Sequence, residues 1–143
     1  MDDNNILKQT KDFLMQYTGC NTYWYPLCKL KKDIPVVAYN LDKLYKDNCI
    51  DQLEATFKSY GLCMVQSIQM QNENTESKVE GILGLLYEKD AAGYNFPWYV
   101  ETYYFDDSKE WMIYVSHEGT IAFTGNRLVS TAKENIQSKY LYK

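Results

Sequence analysis

The spacing of apolar positions changes near residue 62, from a helical repeat before it to alternation after it. Ile6, Leu7, Thr10, Phe13, Leu14 and Tyr17 fall on one face of a helix predicted over residues 5–17, capped by Asn4 or Asn5 and ended by Gly19. Residues 20–39 hold Pro26, Pro35 and the cluster Tyr23, Trp24, Tyr25 with no sustained period, and read as an ordered connection with a short strand around residues 36–39. A second helical region follows Asn40, either continuous or broken at Asp47 and Asn48. Leu41, Leu44, Tyr45, Ile50, Leu53, Phe57 and Tyr60 form its inward face, and Gly61 stops it.

Strands follow. Residues 62–70 alternate imperfectly, the polar run NENTES makes a turn, and residues 79–88 read as a largely apolar strand with Gly81 and Gly84 marking a bulge or close packing. Residues 98–105 (WYVETYYF), 111–116 (WMIYVS) and 120–124 (TIAFT) carry the aromatic and β-branched bias of a sheet. Gly119 supplies the left-handed residue of a short hairpin loop, which sets Trp111, Ile113 and Val115 on the same side as Ile121 and Phe123. Beyond Gly125, Asn126 is expected to cap a last helix that covers the sheet with Leu128, Val129, Ala132 and Ile136. The pattern predicts one α+β domain over residues 1–143, an antiparallel sheet of about five strands in consecutive hairpins with the N-terminal helices and one C-terminal helix on one face.

At 143 residues and 45% hydrophobic, the chain can bury a core without staples. The opening MDDNNILKQTKDF is acidic and then amphipathic, unlike a secretory signal, and no apolar run is long enough to span a bilayer. A soluble, cytoplasmic protein is expected. Cys20, Cys28, Cys49 and Cys63 form no CxxC pair and share one histidine, so they read as reduced, small, partly buried apolar residues and not as zinc ligands.

The net charge of −4 hides an uneven distribution. Residues 1–72 are neutral, whereas residues 73–118 set Lys78, Lys89 and Lys109 against ten acids, for a net −7. Such a segment repels phosphate backbones, and no Lys/Arg stripe offsets it, so nucleic acid is not an expected partner.

No constellation for catalysis survives inspection. His117 beside Glu118 suggests an acid–base pair or half a metal site, but on a strand the two point apart, and in a tight turn both face solvent. Cys63 has no local activator, and Glu101 with Glu80 or Glu88 reads as a solvated strand face. The glycines match no phosphate-binding motif. No cofactor, metal or catalytic residue is assigned.

Aromatic residues stand out instead, with fourteen Tyr, three Trp and five Phe. In residues 98–105, Trp98, Val100, Thr102 and Tyr104 face one way and Tyr99, Glu101, Tyr103 and Phe105 the other, placing rings on both sheet faces. Tyr and Trp give large contact area at low entropy cost and recur at binding hot spots.

Residues 111–125, WMIYVSHEGTIAFTG, with the core W-x-x-Y-x-S-H-E-x-T, resemble the closing hairpin of small bacterial immunity proteins of polymorphic toxin systems. The resemblance implies a cytoplasmic protein that binds a cognate toxin and blocks it without chemistry of its own; independently, the acidic segment and the aromatics would suit a basic partner. The partner-binding residues would be Trp98, Tyr99, Glu101, Tyr103, Asp106, Asp107, His117 and Glu118. The alternative is a small ligand-binding or hydrolase-like domain with a pocket between helices and sheet, using Cys63, Glu80 or Glu101.

Overall fold

The computed structural model describes residues 35–69, 78–87, 102–106, 108, 110–116 and 119–142. The helix expected over residues 5–17, the NENTES turn, Cys20, Cys28 and the first half of the strand expected over residues 98–105 lie outside the described residues. Strand β1 (Val36–Asn40) runs straight into helix α1 (Leu41–Lys46), and Asn40 makes the change by accepting the Lys43 N–H on its side-chain oxygen at 3.0 Å. The helical region then breaks where the sequence allowed it. Asn48 takes φ +58°, a left-handed conformation that asparagine tolerates, before α2 (Asp51–Tyr60) begins. Gly61, at φ +90°, ends α2, and the N–H groups of Gly61 and Leu62 both return to the Phe57 carbonyl.

Strands β2 (Met64–Gln69) and β3 (Lys78–Gly81) form a hairpin. The strand expected over residues 79–88 is strand only as far as Gly81, because the chain turns into the short helix α3 (Ile82–Leu85) directly after it. The buried residues there, Ile82, Leu85 and Leu86, recur at helical spacing. Strands β4 (Thr102–Phe105), β5 (Met112–Val115) and β6 (Thr120–Thr124) follow, then helix α4 (Asn126–Asn135) and a 3-10 turn over Ser138–Tyr140. Asn126, expected as the cap of the last helix, takes its first helical position instead. Gly125 stands at the cap with no side-chain bond.

Among the described residues the fold is α+β, with an antiparallel sheet in the order β1-β6-β5-β4-β2-β3. Strands β4, β5 and β6 form consecutive hairpins, whereas the link from β3 to β4 steps past β2, so that β4 pairs with β2 and leaves β3 at the edge. The hairpin register is the one the alternation predicts, with Ile113 opposite Phe123 and Val115 opposite Ile121.

The four helices of the described residues contribute to a core on one sheet face, where Leu44, Leu53, Phe57, Leu85 and Leu128 join Tyr104, Trp111, Ile113, Val115, Ile121 and Phe123. Phe123 sits edge-on to Tyr39 at 6.1 Å and to Phe57 at 6.4 Å, linking β1 to α2 through one ring. Such pairs add about 1 kcal/mol each to the area they bury. The other face of β4 to β6 is buried as well: Tyr103, Met112, Tyr114 and Ala122 are all 0% exposed, and Tyr103 stacks on Tyr114 at 4.8 Å. No helix of the described residues is long and apolar enough to cross a membrane.

Candidate protein-binding surface

The register assigns each loop to one end of the sheet. Phe105, Met112, Thr124 and the residues leading into β2 share one end, and Thr102, Val115, Thr120 and Asn40 share the other. At the second end the β5–β6 turn closes with Ser116 N–H to Thr120 O at 3.0 Å and Gly119 N–H to Ser116 O at 3.2 Å. The buried Ser116 and Thr120 hydroxyls satisfy each other at 2.8 Å. The Gly119 carbonyl accepts the Leu41 N–H at 2.8 Å and the Asp42 N–H at 3.3 Å, which docks the turn on the start of α1. A Cβ on Gly119 would overlap the Asp42 carboxylate. His117 and Glu118 lie outside the described residues. Cys63 is exposed and stands at the opposite end of the sheet from Ser116 and Gly119.

The first end gathers the acidic β4–β5 turn, the C-terminus of α2 and the N-terminus of α4. Asp106 Oδ1 accepts the Ser108 N–H at 2.9 Å and the Ser108 hydroxyl, while the Glu110 N–H donates to Ser108 Oγ at 3.2 Å. These bonds fix the turn locally, as an Asp at its start can. They leave Glu110 exposed and Asp106 half-buried. Next to the turn is a cleft of about 340 Å³ lined by Tyr60, Glu110, Asn126 and Arg127. The Arg127 guanidinium lies over the Tyr60 ring at 4.8 Å, and Tyr60 meets Trp111 edge-on at 6.4 Å. Burial pushes the Tyr60 hydroxyl above its ordinary value, Arg127 draws it down, and Glu110 and Asp106 push it up again. Charges of both signs thus reach one ring.

Of the residues expected to meet a partner, Trp98, Tyr99, Glu101, Asp107, His117 and Glu118 lie outside the described residues. Tyr103 is fully buried, so its ring holds the sheet together and offers no contact surface. Asp106 is placed at the acidic turn. Tyr60, Asn126 and Arg127 were not legible as a group, since two helices far apart in the chain, α2 and α4, bring them together and no local spacing encodes that. Glu110 registered only as one of ten acids in its segment. Among the described residues no group of three or more His, Cys, Asp or Glu could hold a metal ion. Neither a family model, nor a curated protein, nor a solved structure matches the chain.

Proposed function

We propose that this chain is a non-enzymatic protein-binding domain of the bacterial cytoplasm, an immunity protein whose acidic β4–β5 end engages and neutralises a basic cognate toxin domain. The observation that carries the reading is the set of hydrogen bonds that ties Asp106, Ser108 and Glu110 together in the acidic segment between β4 and β5. A surface that does not have to order itself on binding keeps more of its interaction energy. The net −7 of residues 73–118 adds long-range attraction for a basic partner and speeds encounter. The resemblance of residues 111–125 to immunity proteins supplies the class of partner. Their described side chains in β5 and β6 are buried, so the hairpin supports the surface from beneath and the turn beside it makes the contact.

The test is co-expression with a toxin domain encoded beside the gene. Growth rescue with co-purification is expected. Glu110→Lys and Asp107→Lys should weaken binding by about tenfold or more and slow association most at low salt, with the fold intact. Failure to bind any neighbouring toxic domain defeats the reading. A second reading, a small-ligand domain, draws on the cleft of about 340 Å³. A metabolite that raises the melting temperature of the wild-type chain, but not of Arg127→Ala, would favour it.

A further inference from the structure

We propose that β3 is the seam of a homodimer, two copies of this chain pairing their β3 strands antiparallel across a two-fold axis through Val79. Strand β3 is one edge of the sheet. The opposite edge, β1, is closed by the chain itself, through the Tyr39–Leu141 bridge and the Tyr142 N–H to Ala38 O bond at 2.9 Å. Among the described residues nothing closes β3.

The direction of its free backbone groups follows from one bond. The Ile82 N–H donates to Cys63 O at 3.0 Å, making that pair a hydrogen-bonded pair of the ladder. Antiparallel pairs alternate, so the pairs Met64–Gly81 and Gln66–Val79 are the non-bonded kind, and the N–H and C=O of Val79 point away from β2. A two-fold axis at Val79 sets each of these groups against its counterpart, with the amide of one copy donating to the carbonyl of the other in both directions. The interface is isologous, as a closed dimer requires.

The side chains fit the same axis. Val79 is 66% exposed and Met64 58% exposed, and the register places both on one sheet face, so the dimer joins them into one apolar stripe across the seam. In the sequence Lys78 and Glu80 flank Val79, and the two-fold sets Lys78 of each copy across from Glu80 of the other. Edge strands that guard against pairing set like charges or a central lysine in the way. Here the centre is apolar and the flanking charges are self-complementary, which favours a second copy over a foreign strand.

Sedimentation equilibrium of the full chain tests this. A monomer–dimer equilibrium is expected. Lys78→Glu and Glu80→Lys should each weaken the dimer about tenfold, since each change places like charges opposite one another twice, and the double swap should restore it to within about threefold. Val79→Lys should abolish the dimer. Circular dichroism reports folding for each variant, and if Val79→Lys unfolds, the charge-swap series still decides. A chain that stays monomeric at millimolar concentration overturns the proposal. So does a dimer indifferent to the single reversals, or a double swap no tighter than the singles.

Discussion

The two ends of β6 are both marked by glycines with positive φ, and each is pressed against another part of the chain, but against different kinds of obstacle. At one end Gly119, at φ +82°, faces the Asp42 carboxylate. At the other Gly125, at φ +105°, faces the backbone of Glu110 and Trp111, where the Glu110 carbonyl would be the first atom struck by a Cβ. A side chain can swing aside by rotating, whereas the backbone leading into β5 can give way only by shifting the chain. The Gly119 end is also bonded to the start of α1, whereas the Gly125 end opens into the cleft beside the acidic turn. The end that carries the proposed contact surface is therefore the one with the less forgiving glycine.

The largest effect should come from Gly125→Ala. It adds left-handed strain to a clash with backbone at the point where α4 is launched, and should cost about 4 kcal/mol in denaturant unfolding. A loss under about 1 kcal/mol would mean that the β4–β5 turn yields, and the contrast between the ends would fail.

Gly119→Ala should cost less, about 2 kcal/mol, because the Asp42 side chain can rotate away. Asp42→Ala should then recover about half of that loss, a coupling that a double-mutant cycle reads directly. No side-chain deletion is available to rescue Gly125→Ala in the same way. Additive effects of the Gly119 and Asp42 changes would show that strain alone, and not the carboxylate, requires glycine there.

Much of this was legible in the sequence, and the reasons are local. Asn48 and Gly61 mark conformations that few other residues accept, and Gly119 with the alternation on either side fixed the β5–β6 register. The missed features are nonlocal or ambiguous. The run from Val79 to Leu86 suits a buried strand as well as a helix, and only the spacing of Ile82, Leu85 and Leu86 separates the two. Nothing near β4 says that it pairs with β2 and not β3. The cleft belongs to the same class, for Tyr60 and Arg127 meet only after α2 and α4 have packed.

The smallest effect concerns a third kind of contact, an exposed tether instead of a steric stop. Glu54 in α2 accepts the Tyr87 hydroxyl from beyond α3 and pairs with Lys58 at 3.0 Å. The Tyr87 bond first, and Lys58 after it, hold the Glu54 carboxyl below its ordinary 4.5. A carboxyl lowered by folding binds its proton more readily in the unfolded chain. Its contribution is therefore present above about pH 4.5 and fades as the pH falls through the lowered folded value. Because the pair is solvent-screened, the change should be slight and smaller still in high salt. Tyr87→Phe removes the principal cause while keeping the ring, so its urea midpoint should fall less than that of the wild type between about pH 6 and about pH 3. Parallel curves for the two proteins would remove Glu54 from the acid response and leave the backbone and side-chain stops at the ends of β6 as the contacts that set stability.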